Sequence, residues 1–181
     1  MPMTTTHALV PLAAALAFSD RPVRWRLVAA AAIAAALPDA DWVAHHFFRV
    51  SQASIYSHRG ASHSLFAALA VGLLAAALHK WLKVGALTAG VAVAAAMASH
   101  GILDMMTSSG RGIAYLWPLT SVRLFADWRP LQSSPVHMAH LVPQVLARLA
   151  IELRQIIVPM FALAIAVRFG RMIGRDSKPF R

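Results

Sequence analysis

The chain has 181 residues, enough for one domain, and is 59% hydrophobic with only 13% charged residues, where an ordinary soluble domain carries about 25%. A mean hydropathy of +0.60 suits a bilayer better than water, and the lack of any cysteine excludes disulfides and thiolate metal ligands. The net charge of +10 raises nucleic acid as a partner, but the Lys and Arg residues cluster beside apolar runs, where topology signals and contacts to anionic lipid headgroups account for them.

In chain order, Thr4-Thr5-Thr6 are placed to cap a helix, and His7 opens an apolar run to Phe18. No Lys or Arg precedes this run and Arg21, Arg24 and Arg26 follow it, so it is read as a retained helix and not as a signal peptide. Its dozen or so apolar residues span only ~18 Å, short of a ~30 Å hydrocarbon core. A second, Ala-rich run from Trp25 to Leu37 is ended by Pro38, and Asp39-Ala40-Asp41 follows as a turn. Residues 43–62 are expected to form a polar and aromatic connection, with His45 and His46 at the interface. A third run from His63 to Leu78 ends at His79, and a fourth runs from Val84 to about Leu103. Residues 105–147 are a long loop rich in Gly, Pro, Arg and Trp; such a loop is usually functional or partly disordered. A last helix from about Val145 to Val167 is expected to kink at Pro159, which removes a backbone donor in mid-span. No solenoid repeat is present. The fold class expected is all-α: residues 1–181 as a single membrane-embedded bundle of about five helices with a long extracytoplasmic loop.

Five helices threading back and forth put the connections at 19–26 and 79–83 and the C-terminal tail on one side. Those segments hold Arg21, Arg24, Arg26, Lys80, Lys83, Arg168, Arg171, Arg175, Lys178 and Arg181, which makes that side cytoplasmic by the positive-inside rule. The opposite side holds Arg49, Arg59, Arg111, Arg123 and Arg129, and it also receives every chemically dense stretch: His7, Asp39, Asp41, His58, His63, His100 and Asp104.

Each of these has an ordinary reading. His100 and Asp104 share a helix face at i, i+4, as a hydrogen-bonded helix end also would. Asp39 and Asp41 suit a turn; on alternate residues of an extended chain they point apart, one to coordinate and one to orient a histidine. His58 and His63 bracket Arg59-Gly60, where a tight turn folds both rings toward one point, and Ser62 is a candidate N-cap for the third helix. Together, four segments present His or Asp at one membrane face, where ionisable groups are expensive and by default functional. His and carboxylate ligands suit Zn²⁺ first, then Mn²⁺ or Fe²⁺. Seven candidates exceed the needs of one ion, and two ions are the usual arrangement for phosphate-ester hydrolysis. Asp39 or Asp41 is the candidate base. Arg111, Arg123 and Arg129 either grip a phosphate or face headgroups, and Tyr115, Trp117, Phe125 and Trp128 are read as an interfacial belt. His79 lies on the wrong side, and His137 and His140 are not expected to join.

These residues carry a resemblance. Thr6-His7, Leu37-Pro38-Asp39-Ala40-Asp41, His58-Arg59-Gly60-Ala61-Ser62-His63-Ser64, Ser99-His100-Gly101-Ile102-Leu103-Asp104 with Thr107, and Leu116-Trp117-Pro118 resemble the YdjM-type family of bacterial inner-membrane metal-dependent hydrolases. The likeness covers residues 6 to about 120. The order His, Asp, His, His-x-x-x-Asp is more distantly similar to bacterial zinc-dependent phospholipase C and fungal zinc nucleases. The further His-x-x-x-Glu of those enzymes has no counterpart, since Glu152 lacks a His four residues earlier. The resemblance implies phosphoester hydrolysis, and the membrane setting a lipid or lipid-linked phosphate substrate; the metal candidates read from the residues are His7, Asp39, Asp41, His58, His63, His100 and Asp104, and the catalytic candidates Asp39, Asp41 and Arg59. The rivals are a metal or ion transporter and a non-catalytic metal-binding membrane protein. A transporter predicts ionisable residues midway along the long helices, and segments 65–78, 84–98 and 155–167 contain none apart from their flanks.

Overall fold

A computed structural model describes residues 2–19, 23–51, 54–108, 110–131 and 141–176. Arg21, His137, His140, Lys178 and Arg181 lie outside the described residues, as do the side chains of His45 and His46. The described residues are all-helical: α1 (Thr4–Phe18), α2 (Trp25–Ala36), a 3₁₀ turn (Leu37–Ala40), α3 (Asp41–Phe48), a second 3₁₀ turn (Ala61–His63), α4 (Leu65–Ala77), the single turn α5 (His79–Leu82), α6 (Ala86–Met105), α7 (Leu141–Glu152), a π turn (Leu153–Ile157) and α8 (Val158–Asp176). Helices α1, α2, α4, α6 and the continuous α7–α8 rod are the five expected from the apolar runs. Two of them, 20-residue α6 and 33 residues of the rod, are long and apolar enough to cross a membrane. Helices α1 and α4 are apolar but shorter, and α2 has 12 residues.

Alanine and glycine hold the bundle together. Ala31, Ala34 and Ala35 of α2, Ala68 and Ala75 of α4, and Ala89, Val93, Ala96 and Met97 of α6 form one buried core. Small residues let helix backbones approach where lipid outside removes the hydrophobic drive. The closest approach is at Gly72, where a Cβ would lie 2.7 Å from the Ala94 Cβ and 2.8 Å from the Gly90 carbonyl oxygen. A smaller contact, Ala13 and Ala17 against Ala164, seats α1 on α8.

Arginines fasten the end opposite the predicted site. Arg168 and Arg171 donate to the carbonyls of Leu16 and Ala17, and Arg24 and Arg26 donate to those of Lys83 and Trp81. These carbonyls end helices, where the last turn has no intrahelical donor. Arg24 and Arg26, the turn between α4 and α6, and Arg168 and Arg171 therefore meet at one end of the bundle.

Several boundaries differ from expectation. The three threonines do not cap α1: its N-cap is Met3, without a side-chain bond. Ser64, and not Ser62, caps α4, accepting from the Ala67 N–H at 3.1 Å. Residues 43–48, expected as part of the 43–62 connection, instead belong to α3, which continues helically from the 3₁₀ turn. The last helix runs well beyond Val145–Val167 at both ends. Pro159 is accommodated by the π turn before it, which widens the ladder where proline supplies no N–H. The described part of the long loop, 106–131, is folded and not disordered. Ile113 and Leu124 exchange backbone bonds, Ser108 donates to Leu131, and Ile113 and Ala114 are fully buried.

Gly72→Leu should force α4 and α6 apart and lower the thermal unfolding midpoint in detergent, with a cost of about 1–3 kcal/mol or more from overpacking. Gly170→Ala, in α8 with open space around it, is the counter-case and should stabilise by about 0.5–1 kcal/mol; circular dichroism on heating reads both.

Candidate metal centre

Four chain segments bring the candidate residues to one end of the bundle. His7 sits in the first turns of α1 and Asp39 in the 3₁₀ turn after α2. His63 ends the 3₁₀ turn before α4, while His100 and Asp104 lie one turn apart near the end of α6. His7, His100 and Asp104 are 0% exposed, and His63 and Asp39 are nearly so.

Local sequence explains the convergence. Pro38 and the 3₁₀ turn end the α2 ladder, which frees its last carbonyls for other donors. His100 Nδ1–H donates to the carbonyl of Ala35 at 2.8 Å, so its Nε2 carries the lone pair and points 3.5 Å from Asp39 Oδ1. The Arg59-Gly60 turn works as expected. Arg59 takes the left-handed conformation (φ 67°), and a Cβ at residue 60 would fall 1.8 Å from the Ile55 carbonyl oxygen, so only glycine fits. The turn brings the His58 and His63 rings edge to face at 5.4 Å.

Asp39 and Asp41 face different partners, on successive turns instead of an extended strand. Asp41 accepts from Ser62 Oγ at 2.5 Å and lies 2.6 Å from His58 Nδ1 and 3.2 Å from His63 Nδ1. Because Ser62 donates to Asp41, its oxygen accepts from His63 Nδ1–H at 2.9 Å, and His63 Nε2 is left with the lone pair. Burial would raise the Asp41 carboxyl, but the bonds from His58, His63 and Ser62 outweigh it and hold that group well below the usual carboxylate range. Burial lowers the His63 imidazole, with Asp41 only partly offsetting it, which favours the neutral form that ligates metal.

The atoms facing inward are His7 Nε2, Asp39 Oδ1, His63 Nε2, His100 Nε2 and both oxygens of Asp104. All are buried with no hydrogen-bond partner. His7 Nε2 lies 3.5 Å from Asp104 Oδ1, and His63 Nε2 is 3.9 Å from Asp104 Oδ2 and 4.0 Å from Asp39 Oδ1. His7 stacks on His100 at 3.7 Å. Ligands at ~2.0–2.1 Å around a tetrahedral ion stand about 3.3 Å apart, so these separations are close to those of a ligand shell. The lone pairs of His63 and His100 face carboxylate oxygens, and the donor set fits a divalent cation in its midst. His58 stands at the rim, its side chain 23% exposed, still within ligand distance of Asp39 and His63.

Other residues fall into supporting places. The Arg59 guanidinium is buried behind Asp104, with Nε 3.3 Å from Oδ2, and donates to Thr107 Oγ1 and the Arg111 carbonyl. Arg123, a candidate phosphate grip, is occupied in the fold: it donates to the carbonyls of Ser54, Arg59 and Gly112 and to Ser57 Oγ. Arg129 covers the Phe125 ring. Tyr115 packs against Gly101 beside the site, and His79, bonded to the Val84 carbonyl, is at the far end.

Sequence reasoning missed the role of Glu152. Its buried carboxylate accepts from the Met3 N–H at 2.8 and 3.0 Å and from Thr6 Oγ1, while Thr4 Oγ1 donates to Asp39 Oδ2 at 2.6 Å. A carboxylate from the C-terminal rod thus serves the helix start that carries His7. The one signal was an acidic residue isolated within an otherwise apolar and basic stretch.

Fold and site together define an all-helical protein with a buried His/Asp cluster at one end that is suited to hold a metal. The chain belongs to the family described as YdjM inner membrane protein, whose model matches residues 1–176, including the C-terminal rod that the motif resemblance did not reach. It is 36% identical over 136 residues to the inner membrane protein YbcI of Escherichia coli (strain K12), covering 75% of this chain and 78% of that one. No solved structure matches it.

His100→Ala and Asp104→Ala should each lower metal affinity by at least the ~10–100-fold that follows loss of a ligand's supporting partner. Asp104→Asn should be nearly as damaging, since it keeps the shape and loses the charge. His79→Ala should leave metal content unchanged. Metal stoichiometry of monodisperse protein decides this, and wild-type content in both alanine variants would remove the pair from the site. Glu152→Gln should weaken metal binding less than either, because it loosens the seat of His7 without removing a ligand.

Proposed function

We propose that this protein is a multi-pass, membrane-bound, metal-dependent hydrolase that cleaves a phosphate ester of a lipid or lipid-linked substrate at the extracytoplasmic face of the inner membrane. The observation that carries the reading is the set of buried inward-facing nitrogen and oxygen atoms without hydrogen-bond partners. Five inner residues, with His58 at the rim, exceed the three or four that one zinc takes, which leaves room for a second ion. Zn²⁺ is the best match to a His and carboxylate set, ahead of Mn²⁺ and Fe²⁺.

Divalent ions bound there would lower the pKa of a water and polarise the phosphoryl oxygen. In this proposal His7, Asp39, His63, His100 and Asp104 hold the ions. Asp41, with its oxygens engaged by His58, His63 and Ser62, orients imidazoles and is not the base. His58, paired with Asp41 and open to solvent, exchanges protons between the cluster and water. Arg59 sets the charge of the centre from behind Asp104. Delivery of a membrane substrate is supported by the apolar side chains beside the site: Trp42, Phe47 and Phe48 of α3 are exposed, at the end of a bundle whose α1 and α2 are too short for a full bilayer. A second reading, a metal-binding protein without catalysis, is favoured by the complete burial of His7, His100 and Asp104.

Purified protein loaded with Zn²⁺ or Mn²⁺ should release phosphate or a phosphorylated headgroup from a panel of phospholipids, and chelation should abolish this. Metal bound at unit stoichiometry or above with no turnover across the panel selects the non-catalytic reading.

The orientation rests on the basic end. Since the chain has no cysteine, single-cysteine labelling is clean. Leu119→Cys, in the exposed loop at the site end, should react with a membrane-impermeant thiol reagent in spheroplasts, and Lys80→Cys should not. The opposite pattern reverses the orientation and leaves the cluster intact.

A further inference from the structure

Between α1, α2 and α6 lies a crevice of about 980 Å³, at the upper end of the ~300–1,000 Å³ range of ligand pockets. None of the metal-centre residues lines it. Its cause is in the sequence. The facing positions Ala14 and Ala15 of α1, Ala31 of α2 and Ala92 and Ala95 of α6 are too small to close the gap. It extends along α1 from Val10 to Ser19, about 13 Å of helix.

The two ends differ in chemistry. Toward Val10 and Ala96 the walls are apolar, while at the other end stand Arg24 and Lys83 with the hydroxyl residues Ser19 and Thr88. Among the described residues neither cation has an acidic partner. Arg24 is turned toward Lys83 by its bond to the Lys83 carbonyl at 3.0 Å. Lys83 is exposed and caps α5 in the left-handed conformation (φ 57°).

We propose that this crevice is a lipid site, with one acyl chain of an anionic phospholipid lying along α1 and its phosphate between Arg24 and Lys83. An apolar slot does not hold ordered water, and the two cations at its mouth have no acidic partner among the described residues, a place that an anionic headgroup suits. A zwitterionic lipid would fill the slot but bring its own cation to the same place. This lipid is not a substrate of the metal centre, because its phosphate is held at the opposite end of the bundle, and the proposal stands whether or not the protein is a hydrolase.

Native mass spectrometry of detergent-purified, delipidated protein tests it, with phosphatidylglycerol and phosphatidylcholine offered in equal amounts. Wild type should retain one phosphatidylglycerol in preference to phosphatidylcholine, and added salt should reduce the preference. Lys83→Asn, which tolerates the left-handed backbone, should lower phosphatidylglycerol occupancy about fivefold. Ala14→Phe, which fills the slot from an exposed position, should displace both lipids without loss of helicity. Equal retention of the two lipids by wild type would overturn the proposal, as would unchanged occupancy in folded Ala14→Phe. So would a protein dimer in place of the lipid adduct, which would assign the crevice to a second copy of the chain.

Discussion

Burying a polar atom without a hydrogen bond costs about 1–3 kcal/mol, and more if it is charged. This fold gathers a set of such atoms at one point: imidazole nitrogens from His7, His63 and His100 and carboxylate oxygens from Asp39 and Asp104. The outward nitrogens of His63 and His100 are committed as donors to Ser62 and Ala35, which turns their other nitrogens toward the carboxylates. A cation in their midst would relieve the conflict of facing lone pairs and negative oxygens. The remainder of the structure can be read as the means of holding these groups together.

The supports come from different levels. Packing of small residues lets α2, α4 and α6 approach closely enough for three segments to share one end. Proline ends α2 where a carbonyl is needed for His100. Glycine at residue 60 lets the connection fold back so that His58 and His63 meet. Asp41 and Arg59 lie behind the inner residues of the cluster, and Glu152 fixes the start of α1. Loop 106–131 closes over Arg59 and α6 through its own backbone bonds, including Ala114 N–H to the Arg59 carbonyl.

The opposite end uses the same economy with other chemistry. Its arginines do more than mark topology, for four of them satisfy terminal carbonyls of α1 and of the α5 turn. A helix end within a thin bundle has no water to rely on if the bilayer covers it, and a cation is the residue its dipole favours. Such a chain stays short-helixed and alanine-rich without leaving its backbone unsatisfied.

The sequence by itself determined the all-helical class, the five apolar runs and the common end for His7, Asp39, Asp41, His58, His63, His100 and Asp104. These follow from patterns that act locally: apolar length, proline and glycine punctuation, i, i+4 spacing and the charge bias of connections. Tertiary structure decided the rest. Asp41 is a partner of histidines while Asp39 faces the cluster, because a 3₁₀ turn sets their directions. Ser64 caps α4 because Ser62 is bound to Asp41. Arg123 holds a loop and Glu152 seats a helix because residues 69 and 149 positions away in sequence come beside them. No local pattern carries information about partners that distant, since which carbonyl or amide lacks a donor is known only once every helix has found its neighbours.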